Sequence, residues 1–435
     1  MTSILLIVAL LGGFSQADEN PPIEVRPADL LQELDHPDRW RWIPNQRMPE
    51  GNLIRRLLVT SFVSPIFFFD SDVGAGGGFG ITDIDFLNKR RSQFASTWIT
   101  YTTEGQERFS FSWRKWLAHR DYPGRGSLQG DRDYFGLSLE SSRTLTSRFF
   151  GLGADTLLEQ ESSYTRETDF IAMEIQKSFP KTGGNWIWSV NLSLQTDDIS
   201  SGAVTDALDM TLEYPDLATA ADGLEAIWIH AGIRHDTRDA QHLPYDGHSV
   251  GISFQGCPIT SQNPANEDLE GGVITTLSGT WVRPVSPLFH SGGDPSTENP
   301  LIDSVATFLK ISGTHGELPF WALPSIGGSQ SLRGSIGGRW RDRHAWSAGL
   351  EWRPWVFTEE IPIYRKIRLE RAGFALFLDA GSVADSFDQL FSEKVHYSYG
   401  IGFRFTFERQ ALFRADLGFS DEGETNMSIR YGLPF

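Results

Sequence analysis

The chain ends on Asn426–Phe435, N-M-S-I-R-Y-G-L-P-F, and this stretch decides the predicted fold. Its apolar residues, from Met427 to Phe435, alternate with polar, small or turn-forming ones. In an extended strand, period-two alternation places apolar side chains on one face and polar side chains on the other. We therefore predict a final strand that runs to Phe435, with one lipid-facing and one polar face, as in a transmembrane β-barrel.

The same alternation recurs upstream, most clearly over 346–353, 395–408 and 411–419. From residue 58 onward, alternating or apolar segments of roughly ten residues are separated by Gly, Asp, Asn, Ser and Pro clusters, which are typical of turns. We predict strands at 59–69, 75–86, 92–103, 106–117, 133–143, 163–178, 185–196, 224–236, 248–256, 271–283, 303–314, 343–355, 366–380, 395–408, 411–420 and 424–435. These segments predict an all-β fold, a 16-stranded antiparallel transmembrane barrel over 58–435, with a soluble β-sandwich as the alternative.

Composition agrees with a barrel and argues against other classes. The chain has 435 residues, a formal net charge of −18, only 40% hydrophobic residues and 14 tryptophans. The acidic balance argues against nucleic acid as a partner. Cys257 is the only cysteine, so no internal disulfide is possible. No apolar run of about 18 residues follows the N-terminus, so no transmembrane helix is predicted there.

The first 57 residues differ from the rest. Residues 1–17 resemble a signal peptide, with an apolar run and the small-x-small sequence Ser15-Gln16-Ala17, although Lys and Arg are missing from its start. Residues 18–57 are rich in proline and charge, and about 40 residues are too few for an independent core. We predict a short N-terminal periplasmic or lumenal extension.

Signatures of enzymes and metal sites are weak. The sequence contains no G-x-S-x-G, H-E-x-x-H or Walker-type motif. His230, His235, His242 and His248 cluster in the sequence, but their spacing matches no common metal site. We therefore predict no enzyme activity, no catalytic residue, no metal and no cofactor.

A glycine-rich motif lies between the eleventh and twelfth predicted strands. Gly327–Gly334 reads G-G-S-Q-S-L-R-G. Leu332-Arg333-Gly334 resembles the motif of the sixth extracellular loop in the BamA/TamA superfamily, also called the bacterial surface antigen family. In that family an aromatic residue usually follows, where this chain has Ser335. The resemblance implies that this loop folds inward into the barrel lumen.

Two acidic residues on the next strands extend the resemblance. Glu351, in L-E-W-R, and Asp379, in F-L-D-A-G, match inward carboxylates that hold the loop arginine in the family. The resemblance implies a clasp between loop and barrel formed by Arg333, Gly334, Glu351 and Asp379, because a guanidinium makes strong, charge-assisted hydrogen bonds to carboxylates. Alternatively, the two acidic residues only line a wet lumen.

A third motif, His235-Asp236-Thr237-Arg238-Asp239, precedes Pro244 and Gly247. It resembles the family's turn between the eighth and ninth strands. Asp236, Arg238 and Asp239 are therefore predicted to form a structural periplasmic turn, since Asp and Gly favour tight turns.

The resemblance implies an insertase or translocator in the outer membrane of a Gram-negative bacterium, acting on protein or lipid through a lateral seam between the first and last strands. Pro65, Pro434 and Phe435 are the candidate seam residues, and the two prolines each remove a ladder donor there if they lie within strands. A passive channel or structural barrel is the alternative, since the sequence before residue 58 has no room for a POTRA module.

The resemblance also implies partners. These are outer-membrane lipid and lipopolysaccharide, a separate periplasmic partner in place of the POTRA modules, and the barrel assembly machinery, of which a chain ending in Phe435 resembles a client.

Overall fold

The computed structural model describes residues 40–44, 61–71, 73–83, 85–88, 91–122, 126–239, 243–258, 269–294, 300–364, 367–407 and 411–435. The predicted signal peptide and most of the predicted extension lie outside these residues. Among the residues described, no helix has the length and apolar character needed to cross a membrane.

Sixteen antiparallel strands form one closed barrel, which confirms the predicted fold class. In chain order the wall strands are β1 (Ser61–Asp70), β2 (Gly74–Asp83), β3 (Gln93–Thr102), β4 (Glu107–Trp116), β5 (Tyr134–Phe149), β6 (Ser162–Phe179), β7 (Trp186–Ser201), β8 (Leu224–Asp236), β9 (Gly247–Cys257), β10 (Gly271–Val285), β11 (Asp303–Glu317), β12 (His344–Arg353), β13 (Ile367–Ala384), β14 (His396–Phe407), β15 (Ala411–Ser420) and β16 (Thr425–Tyr431). Each strand pairs with its neighbours in sequence, and β16 returns to β1.

Period-two alternation sets the two faces of the wall. In β14, Tyr399 and Phe403 are about half exposed, whereas Ser398 and Arg404 are buried. Because successive side chains of a strand point to opposite faces, the apolar set covers the outside and the polar set lines the interior. This is the reverse of a soluble barrel and is the arrangement that a membrane-spanning barrel requires.

The last strand is shorter than predicted. It ends at Tyr431, and Gly432 takes φ +79°, a left-handed conformation that glycine adopts without strain. The Gly432 amide still donates to the Leu412 carbonyl at 2.9 Å, as the last rung of the ladder with β15, and the chain leaves the strand after this residue. The prediction of a strand to Phe435 is therefore wrong over its last four residues, because alternation says nothing about backbone turns. In contrast, β5 and β13 extend beyond their predicted ends.

A small sheet lies at the end of the barrel at which β4 ends and β5 begins. Trp40–Pro44 pairs antiparallel with Gly126–Gly130, which pairs in turn with His119–Tyr122. Trp40 and Leu128 are buried in its core. Part of the predicted N-terminal extension is thus held against a connection of the barrel itself.

Two short helices, α1 (Met210–Glu213) and α2 (Pro215–Ala221), lie at the opposite end, in the connection between β7 and β8. The Asp209 side chain caps α1 by accepting a hydrogen bond from the Thr211 amide at 2.9 Å. The helices pack on a buried apolar cluster that includes Phe320, from the connection between β11 and β12. The long connections at this end therefore pack on one another.

Candidate functional site

Residues 318–343 connect β11 to β12 and contain the glycine-rich motif. We call them the long connection. Leu332 and Trp340 are completely buried, in a cluster with Ile326 from the same segment and Val383 of β13. The Asn426 side chain of β16 donates to the carbonyls of Arg333 and Ser335, at 3.2 and 3.0 Å. The long connection thus contacts interior side chains of the wall.

Gly334 lies against the backbone of β15. A Cβ atom built on Gly334 would stand 2.4 Å from the carbonyl carbon of Phe419 and 2.7 Å from the Ser420 nitrogen. Neither backbone atom can move away without shifting the strand. The motif requires glycine at this position because the two backbones approach closely.

Arg333 is the centre of the contacts between the long connection and the wall. Its Nε and Nη2 atoms each donate to one oxygen of Asp379 at 2.9 Å, and its Nη1 donates to Glu351. The guanidinium carbon lies 3.7 Å from the centre of the Phe377 ring, which covers one face. All three charged side chains are almost completely buried, so the structure brings together the arginine and both carboxylates that the sequence singled out.

Glu351 accepts hydrogen bonds from three arginines. Besides Arg333, it accepts from Arg353 Nε at 2.8 Å and from Arg404 Nη2 at 2.9 Å. Arg404 also donates from Nη1 to Asp416 at 2.6 Å, and Asp416 accepts a second hydrogen bond from Arg414 at 2.9 Å. We call the connected set of seven the charged cluster: Arg333, Glu351, Arg353, Asp379, Arg404, Arg414 and Asp416. The cluster joins β12, β13, β14 and β15 through their interior side chains.

The cluster also returns to the long connection. Arg414 Nη2 donates to the Ser329 carbonyl at 2.9 Å. The sequence prediction missed the roles of Arg353, Arg404, Arg414 and Asp416. The sequence did contain a signal for these four residues, because each lies on the polar face of an alternating strand. In the register between β14 and β15, Arg404 stands opposite Arg414. Alternation identifies the face, but the pairing register is needed to identify partners.

A second arginine ties the long connection to its neighbours. Arg339 is fully buried and donates to the Thr156 carbonyl and to Glu422, both at 2.7 Å. Ser335, which stands where the family usually has an aromatic residue, is buried. Trp340 instead stacks on His396 with 3.7 Å between ring centres. Trp340, five positions after Ser335, is therefore an aromatic residue of this segment that contacts the wall.

The C-terminal residues enter the interior of the barrel. The Phe435 ring centre lies 4.5 Å from that of Phe308, whose side chain is on the inner face of β11. The guanidinium carbons of Arg353 and Arg333 lie 5.3 and 5.9 Å from the Phe435 ring centre. Pro434 is buried. We call residues 432–435 the tail.

The junction between β1 and β16 is short. Register pairs join only Phe69 to Ile429 and Asp70 to Ser428, whereas β1 and β2 share ten pairs and β15 and β16 share seven. An ion pair between Arg430 and Asp70 supports the same end of the junction. Pro65 lies in β1 but outside the paired residues, and Pro434 lies beyond the end of β16.

The third motif forms a turn between β8 and β9. Arg238 donates from Nη2 to Asp236 Oδ2 at 3.0 Å and from its backbone amide to Oδ1 at 3.1 Å. Asp239 Oδ1 accepts from the amides of Tyr245 and Asp246 at 3.1 and 3.0 Å. Asp236 is fully buried at the end of β8. The three residues organise the turn through local hydrogen bonds.

The histidine group does not form a metal site in the described part of the chain. No group of three or more potential ligands is assembled among the described residues. His235 and His248 hydrogen-bond each other through ring nitrogens at 3.2 Å, and His242 lies outside the residues described.

Comparison with known proteins was made at the level of sequence and of structure. A sequence model described as the Omp85 superfamily domain matches residues 90–435. No curated protein sequence matches the chain.

Two solved structures share the fold. One is BamA from Haemophilus ducreyi, in a crystal structure lacking POTRA domains 1–3, at 14% identity and a TM-score of 0.53, covering 86% of this chain and 70% of that one. The other is CdiB from Escherichia coli, at 11% identity and a TM-score of 0.54, covering 84% of this chain and 62% of that one. At these identities the likeness concerns the barrel fold alone.

Proposed function

The chain belongs to the Omp85 superfamily, and from this premise we propose that it is an outer-membrane insertase or translocator that works through a seam between β1 and β16. The observation that carries the proposal is the length of the junction. Two residue pairs join β1 and β16, at one end only. A backbone hydrogen bond contributes roughly 0.5–1.5 kcal/mol net, so separating this junction costs on the order of a few kcal/mol.

The position of the paired residues shows which end of the seam is held together. Phe69 and Asp70 are the last residues of β1, so the pairs lie at the end of the barrel that carries the long connection. Ser71 adds to this end, because its hydroxyl lies 3.3 Å from the Met427 carbonyl and 3.2 Å from the Met427 amide. The residue pairs and the Ser71 contacts that separation has to break therefore lie at this end of the strands, and the Tyr431 side chain adds one contact to the Phe67 backbone.

The tail supports the same proposal. It leaves the wall at Gly432 and packs against Phe308 of β11 rather than extending β16 along β1. Residues that could lengthen the seam are thereby used inside the barrel. In this proposal Pro434 acts in the tail, and Pro65 acts in the part of β1 that pairs with β2 but not with β16, where a missing donor removes no bond to β16.

We propose further that the long connection is the family's inward-folded loop and that the charged cluster is its clasp. The cluster lies on β12 to β15, and β16 reaches the long connection only through Asn426 among the contacts described above. A clasp on those strands holds the loop while the β1–β16 junction opens, because none of its ion pairs crosses the junction.

The outward apolar face supports a location in the outer membrane of a Gram-negative bacterium, in contact with lipid and lipopolysaccharide. We propose that the barrel assembly machinery inserts this chain as a client. A separate periplasmic partner that delivers substrate is also part of the proposal. A pull-down from outer membranes, with the intact chain as bait, tests for both.

A disulfide across the seam tests the function. The pair Phe69→Cys with Ile429→Cys, in a Cys257→Ser background, joins register partners at the junction. Leu417→Cys with Met427→Cys is the matched control, because it joins register partners on the outer face of the continuous β15–β16 ladder. Both are reconstituted in liposomes and assayed for insertion of an unfolded outer-membrane barrel.

We expect oxidation to abolish insertion by the seam pair and reduction to restore it, while the control pair works in both states. Full activity of a completely cross-linked seam pair contradicts the proposal. Conductance across planar bilayers distinguishes the passive barrel: a steady open pore without insertion activity supports that function instead.

A further inference from the structure

A small cavity lies where β11 begins and β12 ends, at the end of the barrel opposite the long connection. Its lining combines apolar residues with two buried arginines, and consists of Leu243, Pro244, Tyr245, Pro300, Ile302, Ser304, Arg353, Trp355 and Arg371. The free volume at its centre is about 20 Å³. That is enough for one water molecule or one monatomic ion.

Arg353 presents unused donors to this cavity. Its side chain is only 5% exposed, and Nε donates to Glu351. Both terminal nitrogens, Nη1 and Nη2, are buried and have no hydrogen-bond partner among the residues described. A buried donor left without an acceptor costs free energy, and more so when it carries charge. An acceptor that the protein itself does not supply is therefore needed beside Arg353.

Charge counting makes an anion the fitting occupant. The hydrogen-bonded charged cluster contains four guanidinium groups and three carboxylates, which leaves one positive charge in excess. Arg353 is the member that lines the cavity. Two carboxylates of nearby segments have partners of their own: Asp303 pairs with His290 at 2.8 Å and Glu370 with Arg371 at 3.2 Å.

Arg371 forms another part of the lining. Its Nη1 donates to the Pro300 carbonyl at 2.9 Å, and its guanidinium carbon lies 5.2 Å from the Trp355 ring centre. These contacts hold a second buried cation at the cavity. Because Arg371 is paired with Glu370 at 3.2 Å, the excess charge that attracts an anion is that of Arg353, and surroundings of low polarity strengthen this attraction.

We propose that this cavity binds one monatomic anion, with the size and charge of chloride. The small volume favours a compact anion with a single negative charge, and we test chloride. A bound halide accepts hydrogen bonds from Arg353 Nη1 and Nη2 and balances the excess charge of the cluster. The site is separate from the seam and does not depend on insertase activity.

The test measures binding without any transport assay. The full chain, purified in detergent, is unfolded by heat in increasing sodium chloride, with ionic strength kept constant by sodium gluconate, whose anion is too large for the cavity. We expect the midpoint to rise by roughly 2–5 °C and to saturate, because a ligand that binds only the folded state stabilises it. Crystals soaked in bromide are expected to show an anomalous peak beside Arg353.

Variants make the result specific. Arg353→Gln removes the donors, and Ser304→Val fills the cavity without altering any charge. Both are expected to lose the saturable chloride effect. Ser312→Val, on the same inner face of β11 but outside the cavity, is the control and keeps it. If Arg353→Gln does not fold, Ser304→Val decides. Equal midpoints in chloride and gluconate, or crystals without a bromide peak, overturn the proposal.

Discussion

Phe435 packs on Phe308 with 4.5 Å between the ring centres, although the two residues belong to the tail and to β11. The contact crosses the interior of the barrel instead of following the wall. It places an aromatic pair beside Arg353 and Arg333.

Removing the Phe435 ring should loosen the interior. An aromatic pair contributes roughly 0.5–1.5 kcal/mol beyond its buried area. We therefore expect Phe435→Ala, refolded in vitro to bypass the cellular assembly machinery, to unfold at a lower temperature and to conduct ions more readily across planar bilayers. Phe419→Ala, which removes a ring that packs on Tyr399 on the outer face, should leave conductance unchanged. Unchanged conductance of both variants contradicts a plugging role for the tail.

Arg333→Ala should be one of the most destabilising arginine substitutions in the chain. It leaves Asp379 buried without its main partner, and breaking a buried ion pair in this way costs about 3–5 kcal/mol. Arg333→Lys restores the charge but not the bidentate geometry, so we expect an intermediate loss. The control is Arg108→Ala, whose half-exposed pair with Glu140 is worth about 0–1 kcal/mol. Denaturant unfolding in detergent measures all three; similar losses for Arg333 and Arg108 refute the prediction.

Neutralising the two carboxylates should have unequal effects. Glu351 accepts from three arginines, whereas the charged partner of Asp379 is Arg333 alone. We expect Glu351→Gln to lower the free energy of unfolding more than Asp379→Asn, because it weakens the contacts of three buried arginines rather than of one. The same unfolding experiment compares the two isosteric variants, and the reverse order shows that the network is not organised around Glu351.

Gly334→Ala should displace the long connection. The added Cβ meets the β15 backbone at 2.4 Å, well inside van der Waals contact. We expect a lower unfolding midpoint and faster protease cleavage within residues 318–343. Gly136→Ala is the matched control, since its Cβ would lie 3.7 Å from its nearest neighbour, the Trp113 carbonyl oxygen. If both variants resist cleavage as the original chain does, Gly334 is not needed for close approach.

The strands of the barrel wall could be predicted from the sequence because apolar and polar residues alternate along them with a period of two. Alternation predicts all sixteen strands, and the structure confirms their number and order. It failed at Phe435, because the turn at Gly432 depends on backbone conformation rather than on polarity. It also missed the sheet that contains Trp40, since that strand pairs with residues far along the chain.

The charged cluster shows the same limit at the site. Resemblance to a family singled out Arg333, Glu351 and Asp379, which the structure places in contact. The links through Arg404 and Arg414 needed the register of β14 against β15, which single-strand patterns do not contain. The alternation of a strand shows which face a side chain lies on. Which residues it contacts on the neighbouring strand depends on the register between the two strands.

The small sheet has a consequence for the order of assembly. Trp40 pairs with Gly130, so about 90 residues separate the partners. Closing a loop of this length costs conformational entropy before the hydrogen bonds of the sheet can form. Three strands of four or five residues are also too short to be stable alone. The first described segment of the chain is therefore expected to take its place late, after β4 and β5 have joined the wall. Protection of its amides then reports that this part of the barrel is complete.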